Sequence, residues 1–394
     1  MHTPQDIRIA DYTYTLPDER IAKYPSKKRD ESKLLIYKNG TIEDNIFSSL
    51  PEQLPEGCLL VFNNSQVINA RIYFQKASGT WIEVFCLEPS EKNYSETPKT
   101  TVWKCMVGNS RKWKDGEPLI KALKRTGLRA NLLERGYGYF MVQFAWDSDE
   151  SFYDILAQAG ELPLPPYLKR DTEEADVSSY QTVYAKPQGS VAAPTAGLHF
   201  TPEVFDQLKS KSIKTVELTL HVGAGTFKPV KAETMEGHTM HGEWMQVSPE
   251  QIVQLFTANE MVAVGTTSLR MLETLYWVGV KLIKDIPFLG RKILTQWEAY
   301  ELPNDVPLNE SLTAAYEFAK ENGSISGITE ILIAPGYPIK TARKLITNFH
   351  QPDSTLLLLV AAFIGNDWRK IYEHALANDY RFLSYGDSSL LMAE

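Results

Sequence analysis

The sequence predicts an α/β protein: a main domain built on a mixed or parallel sheet, interrupted by a small inserted antiparallel β-barrel domain. Three observations predict it. From Ser190 onward, apolar strand-like runs alternate with helical patterns. From Arg71 to Phe144, β-branched and aromatic runs follow one another with glycine breaks. The chain of 394 residues is long enough for roughly two to three domains. The expected division is residues 1–70 plus 151–394 for the α/β domain and 71–150 for the insert.

Taken in order, Leu34–Tyr37 reads as a strand. Asn39-Gly40 then signals a two-residue hairpin into Thr41–Glu43. Leu59–Phe62 reads as a buried strand. In the insert, Trp81–Cys86, Thr101–Val107 and Tyr137–Phe144 are strand candidates, separated by Gly79, Gly108, Asp115-Gly116 and Gly136. Ser151–Ala159 is helical, and the prolines of Leu162–Tyr167 make a rigid connector. Thr201-Pro202-Glu203 starts a helix with a hydroxyl cap, a first-position proline and an acid. Thr215–Val222 alternates, with Val216, Leu218, Leu220 and Val222 on one side and Glu217, Thr219 and His221 on the other. Met261–Val264 is a strand that turns at Gly265 into a helix capped by Thr266-Thr267-Ser268 and running through Leu275. Ile331–Ala334 and Leu345–Phe349 read as further strands, and Ser354–Phe363 as a buried helix.

Composition excludes several classes. A hydrophobic content of 43% and a charged content of 23% are ordinary for a globular protein. The run Leu356–Ile364 is about half of what a bilayer requires. Met1–Arg20 has no signal-peptide core. Three cysteines without C-x-x-C spacing fit buried thiols, so a cytoplasmic location is expected. A net charge of −8 argues against a protein that coats nucleic acid non-specifically, although Lys27-Lys28-Arg29 and Arg343-Lys344 leave room for a local basic face.

Tyr180–Glu243 holds four of the seven histidines, His199, His221, His238 and His241, among glycines and small hydroxyl residues. Such permissive backbone lets a ligand approach N–H groups and proton carriers together. Gly265-Thr266-Thr267-Ser268 stands at a strand-to-helix turn, where free N–H groups and the helix dipole favour an anion. Capping is the plainer role for that segment. Arg270 in the first helical turn opposes the dipole, which points to a use for its charge. Gly223 and Gly225 flank the end of the strand carrying His221. His238 and His241 have a spacing seen in metal sites, but bracketing glycines argue against a helix and no third ligand follows, so no metal is expected. Glu243 stands where it could orient an imidazole. Asn348 and His350 sit at a strand's C-terminal end, the ligand edge of open α/β sheets. Tyr180, Tyr184, Phe200, Phe227 and Trp244 are aromatic neighbours, with core packing the plainer reading for Phe200 and Phe227.

Several segments, in order, carry a resemblance: LPDERIAKYPSKKRDESKLLIY, GELPLPPYLKR, YQTVYAKPQGSVAAPTAGLHFT, TLHVGAGTFKPV, HTMHGE, VGTTSLRMLET, APGYPIK, LITNFHQPDSTLL and YRFLSYGDSSLLM. Together they resemble the S-adenosylmethionine:tRNA ribosyltransferase-isomerase family of queuosine biosynthesis, over about Leu16 to Met392. The resemblance implies transfer of the ribosyl moiety of S-adenosylmethionine onto 7-aminomethyl-7-deazaguanine in tRNA, giving epoxyqueuosine and releasing adenine and methionine. It implies His199, His221, His241 and His350 as proton carriers. Thr195, Gly197, Gly223, Gly225, Thr266, Thr267, Ser268 and Asn348 would line the cofactor pocket, and Arg270 would meet a carboxylate or phosphate. Arg71 would contribute to substrate binding. The tRNA partner would present a splayed anticodon-loop base. No membrane partner is implied, and the oligomeric state is not given by the sequence.

Two departures stand out. Where the family usually has N-D-T-[KR]-V, this chain has Asn63-Asn64-Ser65-Gln66-Val67, and an amide cannot take up a proton as a carboxylate does. The span from Leu275 to Ile331 is also longer than the family pattern. The alternative reading is therefore a divergent paralogue that binds S-adenosylmethionine or RNA with a different reaction or none.

Overall fold

Four consecutive neighbours in the large sheet are parallel: Lys214–Leu220, Leu59–Asn63, Met261–Val264 and Lys344–Asn348. Antiparallel Glu243–Val247 and Ile325–Thr329, then short Lys292–Leu294, extend one side. Ser388–Met392, Lys33–Lys38 and Thr41–Ile46 extend the other, making ten strands. The computed structural model describes residues 4–90, 99–227 and 229–393. The expected mixed α/β class is what the chain adopts.

The sequence explains why the central strands are apolar throughout. Leu59 and Val61 pack on one face, with Leu272, Leu275 and Trp277. Leu60 and Phe62 pack on the other, with Phe200, Val204 and Leu208. A parallel sheet covered on both faces has no solvent side, so alternation disappears. Each fully buried aliphatic or aromatic side chain here contributes about 1.5–3 kcal/mol. The Asn39-Gly40 hairpin forms with both residues at positive φ, 48° and 79°, as a type I′ turn requires.

The second large element is a seven-stranded antiparallel sheet, in the order Gly160–Glu161, Arg71–Gln75, Trp81–Pro89, Thr100–Gly108, Phe140–Ala145, Gly127–Arg135, Leu119–Ala122. It is curled and open, a half-barrel: Lys121 Nζ on the last strand donates to the Tyr73 carbonyl near the other edge at 3.1 Å. Its core holds Ile72, Val84, Trp103 and Phe144, and the helix Phe152–Ala159 adds Phe152, Ile155 and Leu156. That helix starts with a capping box between Ser151 and Asp154.

Two expectations fail locally. The helix after Gly265 does not stop near Leu275 but runs from Thr266 to Ile283. Its later residues are buried against the helix Leu308–Asn322, and a Cβ on Gly279 would lie 2.1 Å from the Ser311 carbonyl oxygen. Burial overrides the weak propensity of Val278, Gly279 and Val280. The Leu275–Ile331 span thus contributes to the core, with Leu312, Ala315 and Ala319 packed inside. Ile331–Ala334 is not a strand; the strand is Ile325–Thr329. Its backbone is satisfied by side chains: Ile331 N–H by Thr329 Oγ1, and the Leu332 carbonyl and Ala334 N–H by the Tyr300 hydroxyl. A buried apolar run has the same sequence appearance with or without a ladder partner.

Candidate active site

The C-terminal ends of the four parallel strands lie side by side, and five of the fourteen candidate site residues line the space at that edge. A crevice opens at this edge. Thr195, Thr266, Thr267, Asn348 and His350 line it, together with Val222, Gly265, Tyr167, Thr226 and Ser384.

Gly265 makes the turn into the helix with φ 89°, a conformation that favours glycine. It is also the N-cap residue, so the cap falls one position before the threonines. The first N–H groups of a helix have no intrahelical acceptor, and here Thr266 and Thr267 line the crevice. Thr267 Oγ1 is buried without a hydrogen-bond partner. Ser268 turns away, donating to the Val264 carbonyl at 2.7 Å.

His350 and Asn348 come from the end of the strand Lys344–Asn348. The His350 ring pairs through Nε2 with Thr347 Oγ1 at 2.8 Å, and its backbone N–H donates to the Tyr372 hydroxyl. Burial pushes its pKa down from 6.5 to about 4, so it is neutral at pH 7. Asn348 Nδ2 donates to the carbonyls of Leu383 and Ser384. Its Oδ1 must then accept from His199 Nε2, 3.2 Å away. That fixes His199 in the Nε2–H tautomer, with Nδ1 facing Ser32 Oγ at 2.8 Å. His199 is buried behind Asn348, its ring tilted against Phe47, and burial pulls its pKa down to about 4. It does not line the crevice.

The other two histidines sit by the glycine loop that follows the strand Lys214–Leu220. His221 stacks on Trp244, ring centroids 5.1 Å apart, and its Nδ1 is buried without a partner. Burial lowers its pKa to about 4. Gly189, which no sequence signal marked, has φ 148°, and a Cβ there would lie 2.7 Å from the His221 ring. His241 packs under Gly223 and Gly225; a Cβ on Gly225 would lie 2.4 Å from its Nδ1. His241 Nε2 is 3.2 Å from Glu243 Oε1, which also accepts from the Gly223 N–H at 3.2 Å.

Arg270 meets a carboxylate, and it is the protein's own: Nη1 pairs with Glu243 Oε2. Burial alone would raise the Glu243 carboxyl, but the Arg270 charge, His241 and the Gly223 N–H outweigh it and hold it at about 2. Arg270 Nη2 is buried without a partner. Gly197 faces away from the crevice: a Cβ there would lie 1.9 Å from the Tyr184 hydroxyl. Tyr180, Tyr184 and Phe200 are buried in core clusters, and the Phe227 side chain lies outside the described residues. Arg71 lies apart, on the first long strand of the curled sheet, beside Glu83.

Asn64 ties two strands together. Its Oδ1 accepts from Thr219 Oγ1 at 2.9 Å and its Nδ2 donates to Glu217 Oε2 at 3.3 Å. Glu217, paired with Lys186, places a carboxylate beside the amide. Gln66 pairs with Gln188 in a short two-strand bridge. Neither lines the crevice. Among the described residues, no group of three or more His, Cys, Asp or Glu is placed to hold a metal ion, and no helix is long and apolar enough to cross a membrane.

The family described as queuosine biosynthesis protein matches residues 9–391. The chain is 38% identical over 394 aligned residues to an S-adenosylmethionine:tRNA ribosyltransferase-isomerase of Thermotoga petrophila, covering 98% of this chain and 100% of the relative. A relative of the same name from Desulfitobacterium hafniense is 36% identical over 397 residues, with the same coverage. A crystal structure of the S-adenosylmethionine tRNA ribosyltransferase of Thermotoga maritima is 30% identical, covering 97% of this chain and 100% of that one, with a TM-score of 0.47.

Proposed function

The chain belongs to the queuosine biosynthesis protein family, and on that premise we propose that it is an S-adenosylmethionine:tRNA ribosyltransferase-isomerase. It moves the ribosyl moiety of S-adenosylmethionine onto 7-aminomethyl-7-deazaguanine in tRNA, gives epoxyqueuosine, and releases adenine and methionine. Full-length relatives at 36–38% identity share that one name, which disfavours the divergent-paralogue alternative.

The observation that carries the reading is the crevice at the C-terminal edge of the parallel strands, where a helix N-terminus and a neutral histidine face one space. S-adenosylmethionine brings a carboxylate, which suits the free N–H groups at Thr266 and Thr267 and the unpartnered Thr267 hydroxyl. The reaction needs a base at the carbon beside the sulfonium and a proton for departing adenine. His350, neutral at pH 7, takes the first proton and, once charged, can deliver one. His199 acts through Asn348 as a positioning residue, fixing the side chain that faces the ligand. Glu243 fixes His241 and the glycine loop together and keeps Arg270 neutralised. His221, stacked on Trp244, stands ready at the same edge.

S-adenosylmethionine is the ribosyl donor, and this reading assigns no step to a metal. The tRNA presents its anticodon-loop base to the site. The division into residues 1–70 plus 151–394 and an inserted β-barrel at 71–150 belongs to the same proposal. The test is incubation of the protein with S-adenosylmethionine and tRNA bearing 7-aminomethyl-7-deazaguanine, followed by mass analysis of the nucleosides. The epoxide product with equimolar adenine is the expected result; unmodified tRNA from folded protein would overturn it.

A further inference from the structure

A second crevice lies where the curled sheet meets the proline connector and the glycine loop. Its walls are mostly apolar, with Met106, Phe140, Pro166 and Ala224 among them, and one polar pair, Arg71 and Glu83, stands in it. Arg71 Nε is 3.1 Å from Glu83 Oε1, and the guanidinium lies over the Phe85 ring at 5.2 Å. The contact is an ion pair and not a hydrogen bond, since Arg71 Nε is buried without a hydrogen-bond partner, so both Glu83 oxygens keep acceptor capacity. Glu83 Oε2 makes no hydrogen bond among the described residues and sits over Gly108, where a Cβ would come within 3.0 Å of it. Glu83 and Gly108 face each other across the strand pair, and both line the crevice. Both side chains are about one-third exposed, at 30% and 33%, so the pair is accessible from the crevice.

This crevice and the first share a wall. Ala224 lines one, while Val222 and Thr226 line the other; Pro166 lines one and Tyr167 the other. A flat ring seated between apolar walls in the second crevice would therefore stand one loop away from a ligand in the first.

We propose that the second crevice receives the acceptor base, with the two Glu83 oxygens reading the N1–H and 2-amino donors of the 7-deazaguanine edge and the Arg71 charge standing beside them. The inference rests on the functional reading above. A guanine-type edge offers two adjacent donors, which a carboxylate matches; an adenine edge offers no such pair. Proteins commonly read single-stranded bases by stacking them and hydrogen-bonding this edge. The β module then selects the acceptor while the parallel-sheet edge holds the donor.

The test is steady-state adenine release by the full-length protein, varying the 7-aminomethyl-7-deazaguanine tRNA and S-adenosylmethionine separately. Glu83→Gln replaces one acceptor oxygen by a donor, so the KM for tRNA should rise about tenfold or more, as loss of a bidentate base contact does. The KM for S-adenosylmethionine should stay within about twofold, since the donor crevice is untouched. Met106→Glu, on an exposed wall position, should raise the tRNA KM in the same way without threatening the fold. An unchanged tRNA KM in both variants would overturn the proposal, as would a rise confined to S-adenosylmethionine. A wild-type protein that releases no adenine would instead overturn the functional reading, and the acceptor assignment with it.

Discussion

On the Lys344–Asn348 side of the crevice, His199 and His350 are closed in by neutral partners: Ser32, Asn348 and Thr347. On the Lys214–Leu220 side, His241 leans on the ionised Glu243, which Arg270 also holds. The same residue type is thus tuned in two ways by what surrounds it. Burial, with the Arg381 charge, outweighs the Asp387 charge near His199, and burial keeps both the His199 and His350 rings neutral. A fixed carboxylate instead orients the ring and offers a counter-charge for an imidazolium formed during turnover. The two sides should therefore respond differently when disturbed.

The carboxylate side should break most severely. Glu243→Ala leaves Arg270 charged and buried, and removal of one partner of such a pair costs about 3–5 kcal/mol. Urea unfolding should show that loss, and Glu243→Met with Arg270→Met together should recover most of it. A single mutant as stable as wild type would mean the ion pair is not formed in solution. The neutral side should show itself in pH dependence. The folded pKa values of His199 and His350 are about 4, below the ordinary 6.5. Between those values the unfolded chain binds protons that the folded one refuses, so stability must fall as pH falls from 6.5 towards 4. Each of the two fully buried rings contributes on the order of 3 kcal/mol to that drop. A flat unfolding free energy over this window would contradict the assigned burial.

A smaller effect tests the departure from the family pattern. Asn64→Asp would set a second carboxylate beside Glu217 and lose the amide donor, for a stability cost of about 1 kcal/mol. Adenine release should change little, since Asn64 does not line the crevice. A large gain in activity would show that the missing acid matters to the reaction.

Local signals carried far in this chain. Asn39-Gly40 gave the hairpin, Thr201-Pro202 the helix start, and the alternation through His221 the strand that brings it to the sheet edge. The convergence of Thr266, Asn348 and His350 followed from a single rule about where parallel strands end. What stayed hidden depends on distant partners. Ser32 stands 167 residues from His199 in sequence, and Arg270 stands 27 from Glu243. Ile331–Ala334 has a strand's composition, but Tyr300 takes the hydrogen bonds a ladder would have made. Gly197 looked like a ligand-facing glycine, yet its missing side chain makes room for Tyr184. Periodicity reports which face is buried; it does not report what lies across it.

The most direct test of the account is single-turnover adenine release by His350→Ala, with S-adenosylmethionine binding measured on the same sample. The account predicts near-normal binding and a release rate lower by about 10²–10⁴-fold, the scale of a lost general acid–base group. Wild-type release from a correctly folded His350→Ala protein would contradict it and move the chemistry away from this edge of the sheet.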